Sequence, residues 1–198
     1  MPVAQPTRRL TEAEYLEQER RADFKSEFFA GEMFAMAGGT RAHSLIAVNL
    51  ARELSTSLKG RPCVVFNTDL RIKIEATGLF TYPDASVGFG QQRFLDELAD
   101  TLLNPAVIVE VLSDSTEAYD RGKKFEHYRQ ITTLREYLVI SQKEARVELF
   151  SKGTDGQWSL REAAGLNATI QFPSLQVTIA LAEIYANVEF VPSPIRAR

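Results

Sequence analysis

The sequence predicts one α/β domain, and three observations carry that expectation. The chain has 198 residues, which suits a single domain able to bury its own core. Hydrophobic residues make up 44% and charged residues 25%, the balance of a globular chain and not of a disordered one. Segments with helical spacing of apolar residues are mixed with short apolar runs bounded by Gly and Pro, as expected when helices and strands share a fold.

In chain order, residues 1–10 read as a flexible N-terminus, residues 11–190 as the domain, and residues 191–198 as a flexible Pro-rich, basic tail. Thr11-Glu12-Ala13-Glu14 has the capping-box spacing and opens a helix that runs to about Arg20. Residues 24–29 and 32–36 are aromatic-rich runs around Ala30-Gly31 and read as a β-hairpin. Gly38-Gly39-Thr40 breaks the chain before a second helix over 41–58, whose apolar face is drawn by Leu45, Ile46, Val48, Leu50, Leu54 and Leu58. Residues 63–66, 70–74 and 84–89 read as strands, and polar residues 91–104 as an irregular excursion. Residues 106–112 form a near-continuous apolar run, the pattern of a central strand covered on both faces. A third helix is expected over 117–130, capped by Ser115 or Thr116. Residues 136–141 and 146–151 form a hairpin, 158–163 and 169–172 extend the sheet, and 181–185 is a short closing helix.

Composition removes several function classes. With Cys63 alone there is no internal disulfide, and its apolar neighbours Val64, Val65 and Phe66 suggest a buried free thiol. A single cysteine and two histidines, His43 and His127, do not supply a structural zinc site. No apolar stretch reaches the ~18 residues needed to span a bilayer, and residues 1–10 hold no apolar signal core, so no membrane partner and a cytoplasmic location are expected. The net charge of −3 argues against a general nucleic-acid coating protein, yet leaves room for a metal ion to supply positive charge locally.

The sharpest anomaly is Glu110, which interrupts the most core-like strand in the chain. A carboxylate taken out of water is normally paired or bound to metal. Pro83-Asp84 is the second feature: proline fixes the entry to a strand, and Asp84 is held at its edge. The third is the spacing of Asp120, Lys124 and Tyr128, four residues apart and so on one helix face. Each feature alone also fits an ordinary salt bridge or turn. Together they are parts that phosphodiester cleavage uses: two carboxylates to hold Mg²⁺ or Mn²⁺, and a lysine to orient water or neutralise phosphate.

These residues carry a resemblance. Pro83-Asp84, then Glu110-Val111-Leu112-Ser113, then Asp120, Lys124 and Tyr128 resemble the Uma-type family of candidate restriction endonucleases, a branch of the PD-(D/E)xK nuclease superfamily. The match extends upstream through Glu27, Gly31-Glu32, Met36-Ala37-Gly38-Gly39 and His43, and downstream through Arg135-Glu136-Tyr137, Pro173-Ser174-Leu175 and Glu183-Ile184-Tyr185. It implies a restriction-endonuclease-like core, a mixed central β-sheet flanked by helices, with an N-terminal helix and hairpin. It implies metal ligation by Asp84 and Glu110, with the Val111 carbonyl as a further ligand, and DNA as substrate. The superfamily's lysine two residues after the glutamate is replaced by Leu112, so the cation is assigned to Lys124 on the helix, with Lys123 as the fallback. Asp114 stands where the family has proline. Glu32 is a candidate further ligand and His43, near a helix N-terminus, a candidate phosphate contact or proton carrier. Asp120 and Tyr128 support the site. Arg41, Arg71, Lys73, Arg121, Lys123 and Arg129 are candidate phosphate-cleft cations, each also readable as solvated surface charge.

The function expected is a metal-dependent DNA endonuclease, with a homodimer plausible for cutting both strands. The competing reading is a non-catalytic nucleic-acid or protein-binding module on a nuclease fold, to which Leu112 and the acidic balance lend support. A hydrolase of another phosphate ester is the third.

Overall fold

The computed structural model describes residues 9–190, so the expected flexible tail 191–198 and residues 1–8 lie outside the described residues. Helix α1 (Glu12–Glu19) begins on Thr11 with both halves of the capping box: Thr11 Oγ accepts the Glu14 N–H and the Glu14 carboxylate accepts the Thr11 N–H. Strands β1 (Ser26–Phe29) and β2 (Glu32–Ala35) form the expected antiparallel hairpin. Its turn, Ala30-Gly31, has positive φ at both residues, the mirror-image turn that suits the twist of the paired strands. Gly31 is fixed by its φ of 87° and by space, since a Cβ there would fall 2.5 Å from that of Arg9. Helix α2 (Arg41–Ser57) starts on Thr40, which caps His43 N–H. Val48 does not join its apolar face: it lies about 200° round the helix from Ile46 and is exposed.

The remaining strands are β3 (Cys63–Asn67), β4 (Arg71–Ile74), β5 (Leu79–Thr81), β6 (Ala85–Phe89), β7 (Thr101–Leu102) and β8 (Pro105–Val111). After them come β9 (Glu136–Ile140), β10 (Arg146–Lys152), β11 (Trp158–Ala164), β12 (Thr169–Phe172) and β13 (Val177–Ala180). They build a six-stranded sheet in the order β11-β10-β9-β8-β6-β3 and a five-stranded one in the order β2-β1-β5-β4-β7. Both are mixed, with β8 parallel to β9 in the first and β4 parallel to β7 in the second. A helical crossover joins β8 to β9. It is not the single helix expected over 117–130: α3 (Glu117–Tyr119) runs into a π turn (Asp120–Lys124) and then α4 (Phe125–Tyr128). Neither Ser115 nor Thr116 caps it, because Ser113 Oγ accepts the Thr116 N–H. Helix α5 (Leu181–Ile184) closes the fold.

Three strand expectations are corrected. Residues 169–172 do not extend the large sheet but pair with β13 in a separate hairpin, turned at Pro173-Ser174-Leu175-Gln176. The excursion over 91–104 contains β7, whose Leu102 is fully buried. β5 lies between β1 and β4 and was hidden by its length of three residues. Cys63 opens edge strand β3 and is half-buried, not buried.

The layers follow from side-chain alternation. On β8, Val107, Val109 and Val111 face a core shared with α2, α5 and the β12–β13 hairpin. Ile108 and Leu112 face the other way, into a second core with Phe125, Tyr128 and Tyr137 and with Ile72, Ile74 and Leu79 of the five-stranded sheet. Glu110 has the parity of Ile108 and Leu112, so its carboxylate projects between the two sheets. Helix α1 covers the far face of the five-stranded sheet through Tyr15, Phe28 and Phe80.

A polar network fastens α1 to that sheet. Arg20 Nε donates to Asp100 at 2.7 Å and Arg71 Nη2 lies 3.1 Å from the same carboxylate. Arg71 also donates to Tyr82, whose hydroxyl donates to Glu19 at 2.8 Å. The Arg20 hydrogen bond is the main cause that holds the Asp100 carboxyl down at about 2. A depressed carboxyl contributes stability above its unfolded value, near 3.9, and loses it as pH falls. Asp100→Asn is therefore expected to cost ~1 kcal/mol near neutral pH, after discounting for partial exposure. Urea denaturation across pH should show the gap closing between about 4 and about 2.

Candidate active site

The antiparallel register of β6 on β8 pairs Ala85 with Val109 and so brings Asp84 across from Glu110. Ala85 and Val87 point into the α2 core, which leaves Asp84 on the same face as Glu110. Asp84 Oδ2 accepts the Val111 N–H at 2.7 Å, and Oδ1 lies 3.3 Å from Nε2 of His43 on the first turn of α2. Gly39 backs that ring, for a Cβ at position 39 would lie 2.9 Å from His43 Nδ1.

Lys124, at the end of the π turn, is the hub. Its Nζ stands 2.9 Å from Glu110 Oε1, 3.0 Å from Glu27 Oε1 and 3.6 Å from Asp120 Oδ1. Tyr128 OH donates to the same Glu110 oxygen at 2.6 Å. Glu27 also accepts the buried Thr81 hydroxyl at 2.5 Å. Exposure grades the cluster: Glu110, Asp120 and Lys124 side chains are 4–7% exposed, but Asp84 and Glu27 reach 13% and 15% and His43 21%. The site thus opens on the Asp84, Glu27 and His43 side.

The electrostatics follow from acids in excess of cations. Burial is the largest cause lifting the Glu110 carboxyl to about 8, and nearby Asp120 and Asp84 add to it against the pull of Lys124. Burial also raises Asp120. Lys124 holds its proton well above the ordinary lysine value: burial opposes this, but Glu110, Glu27 and Asp120 together outweigh it. A helix N-terminus alone would lower the His43 proton affinity, yet it is raised, chiefly by the hydrogen bond to Asp84.

Not every sequence candidate enters the cluster. Glu32 is exposed at the hairpin turn, opposite Phe29, and Glu27 on the partner strand is the hairpin acid that reaches the site. Lys123 is exposed and pairs with Glu126, so of the two lysines the fold brings in Lys124. Leu112 is buried in the inter-sheet core. Among the candidate cleft cations, Arg71 is buried in the α1 network, Lys73 pairs with Glu12, Arg121 with Glu117 and Glu148, and Arg41 approaches Glu189. Arg129 stacks over Phe125. His127 is half-buried against Phe29. Asp114 pairs with Lys143 at 2.7 Å.

A mixed sheet carrying acids at the ends of two adjacent strands, beside a lysine from the crossover helix, places the chain in the class of nuclease-like α/β folds. The chain belongs to the Uma2 family, described as "Putative restriction endonuclease", whose profile matches residues 12–182. Two relatives come from Synechocystis sp. strain PCC 6803. Uncharacterized protein sll1609 is 39% identical over 89% of this chain and 100% of its own length. Uncharacterized protein slr1290 is 36% identical over 93% of this chain and 96% of its own. Among solved structures, "a putative nuclease belonging to DUF820" from Anabaena variabilis shares the fold, with a TM-score of 0.71, 19% identity, and coverage of 88% of this chain and 96% of that one.

The charge excess has a measurable sign. Removing the cation in Lys124→Met leaves buried acids uncompensated, a loss of about 3 kcal/mol or more. For a domain of this size that lowers Tm by ~6–12 °C. Glu110→Gln removes an acid and keeps an acceptor for Lys124 and Tyr128, so Tm in EDTA should stay level or rise. A fall in Glu110→Gln as deep as that in Lys124→Met, followed by circular dichroism, would refute the excess.

Proposed function

We propose that the chain is a divalent-metal-dependent DNA endonuclease. The observation that carries this reading is the juxtaposition of Asp84 and Glu110 on facing strand ends with Lys124 seated 2.9 Å from Glu110. The residues fit a hard cation by the chemistry of their donors: Glu110 and Asp84 present two carboxylates on neighbouring strand ends, and the Val111 carbonyl lies on the same strand end as Glu110. Carboxylate and carbonyl oxygens suit Mg²⁺ or Mn²⁺, which keep water and phosphate oxygens as further ligands, better than zinc.

When bound, the ion would supply Lewis-acid activation of a water and charge at the scissile phosphate. The protein's own part is positional. Val111 N–H and Tyr128 OH each fix one oxygen of Asp84 and Glu110, which aims the other. Lys124 orients the attacking water or a phosphate oxygen, and its place in space answers for the strand lysine missing at Leu112. His43, kept protonated more readily by Asp84, stands on the open side where a phosphate would arrive. Asp120 and Glu27 hold Lys124. Cutting both strands of a duplex calls for two such sites, and a symmetric pair of chains would provide them.

The test is nicking of supercoiled plasmid with Mg²⁺ or Mn²⁺. Asp84→Ala and Glu110→Ala should each lose on the order of 10²–10³ or more in rate, with folding retained, and Lys124→Ala a comparable factor. Full activity in both acid variants sinks the assignment. The alternative, a non-catalytic binding module, would show no metal-stimulated cleavage and no calorimetric Mn²⁺ binding by the wild type.

A further inference from the structure

Glu27 was not singled out by its sequence context, and its geometry sets it apart. It comes from β1 of the five-stranded sheet, whereas Glu110 comes from β8 of the six-stranded one. Lys124 Nζ bridges the two sheets with almost equal contacts, 3.0 Å to Glu27 and 2.9 Å to Glu110. Asp120, on the same helical segment as the lysine, is beyond hydrogen-bond length at 3.6 Å. Glu27 is itself held, because the wholly buried Thr81 donates to the oxygen that faces Lys124. The ammonium therefore has two seats, one on a candidate metal ligand and one on an acid pinned from behind.

We infer that Glu27 is a positioning residue that takes over the Lys124 ammonium when Glu110 engages a divalent cation. The inference rests on the metal-binding reading above. In the metal-free protein Lys124 neutralises Glu110 and so competes with metal. A cation on Glu110 repels the ammonium through the shared carboxylate, and the contact that survives is the one to Glu27. No rotamer change is needed, since that contact already exists. Glu27 thereby lowers the cost of metal entry and leaves Lys124 facing the space between the acids, where a phosphate or water would be oriented.

The experiment is a calorimetric titration of the full chain with Mn²⁺, without DNA. Glu27→Gln should weaken Mn²⁺ binding by ~tenfold, the usual scale for a residue that supports a ligand without being one. Lys124→Gln should tighten it, because the internal competitor is gone. In the Lys124→Gln background, Glu27→Gln should change the affinity by less than about twofold, the mark of an effect transmitted through the lysine. An equal loss in both backgrounds means that Glu27 acts as a distant charge and overturns the inference. Glu27→Asp keeps the charge but shortens the reach, so it should behave like Glu27→Gln; wild-type affinity in this variant overturns the inference, and it serves as the decisive variant if Glu27→Gln does not fold. Absence of Mn²⁺ binding by wild type overturns the metal reading itself and this inference with it, whereas wild-type binding unaffected by either Glu27 substitution overturns the inference alone.

Discussion

The cluster between the two sheets depends on one imbalance: three acids, Glu27, Glu110 and Asp120, share the single ammonium of Lys124. Burying an ion costs several kcal/mol, so a fold that keeps such a set must return much of that through close partners. Architectural acids in the same molecule show what a settled case looks like. Buried Glu136 accepts both the N–H and the hydroxyl of Ser174 and ties the β12–β13 hairpin to the large sheet. Glu148 is likewise matched, by Arg121 and Arg146. The inter-sheet acids are different, for one lysine is divided among them. Charge excess of this kind is destabilising by itself, which makes it a better sign of ligand binding than any of the acids taken singly.

The fold is arranged to produce that excess. Alternation on β8 sends valines to the α2 core and Glu110 to the opposite face, between Ile108 and Leu112. The β6 register sets Asp84 across from it, and the network of Arg71, Tyr82 and Glu19 fastens the chain just before Pro83. The parallel step from β8 to β9 requires a crossover, and that crossover returns over the same face, delivering Asp120, Lys124 and Tyr128. Its π turn widens the helix at this stretch while all three side chains still reach the cluster. The second sheet then closes the layer and contributes Glu27.

Legibility in the sequence tracked how local each signal was. Glu110 was visible because it breaks an apolar run, and Lys124 because a four-residue spacing marks a helix face whatever the exact winding. Asp84 needed the order of motifs as well as Pro83. Glu27 entered only as part of the family resemblance and received no role, for a physical reason. On β1, Ser26 and Phe28 face α1, so alternation marks Glu27 as lying on the opposite face, and that face is covered only by a sheet contributed from distant segments. β5 was hidden by its length of three residues, and residues 169–172 were misplaced because their hairpin partner β13 carries Thr178 and Ala180 in its pattern and reads weakly alone. Val48 failed in the other direction, an apolar residue at a plausible spacing that the helix simply turns to water.

The distribution of cations gives the imbalance its functional sense. Sequence alone suggested a basic cleft, yet Arg71, Lys73, Arg121 and Arg41 all stand beside nearby acids, and the chain carries a net charge of −3. A phosphate approaching the open side would meet Asp84 and Glu27 before any unpaired cation, with His43 the nearest compensating group. Without a divalent ion the site therefore repels its proposed substrate. With one, on the proposed function, the same carboxylates would become ligands, Lys124 would turn from counter-ion to phosphate or water contact, and the local field would change sign. On this reading the acidic character of the protein is not an obstacle to acting on DNA. It would make engagement of the phosphate conditional on metal, so that binding at the site and competence for cleavage would arise together.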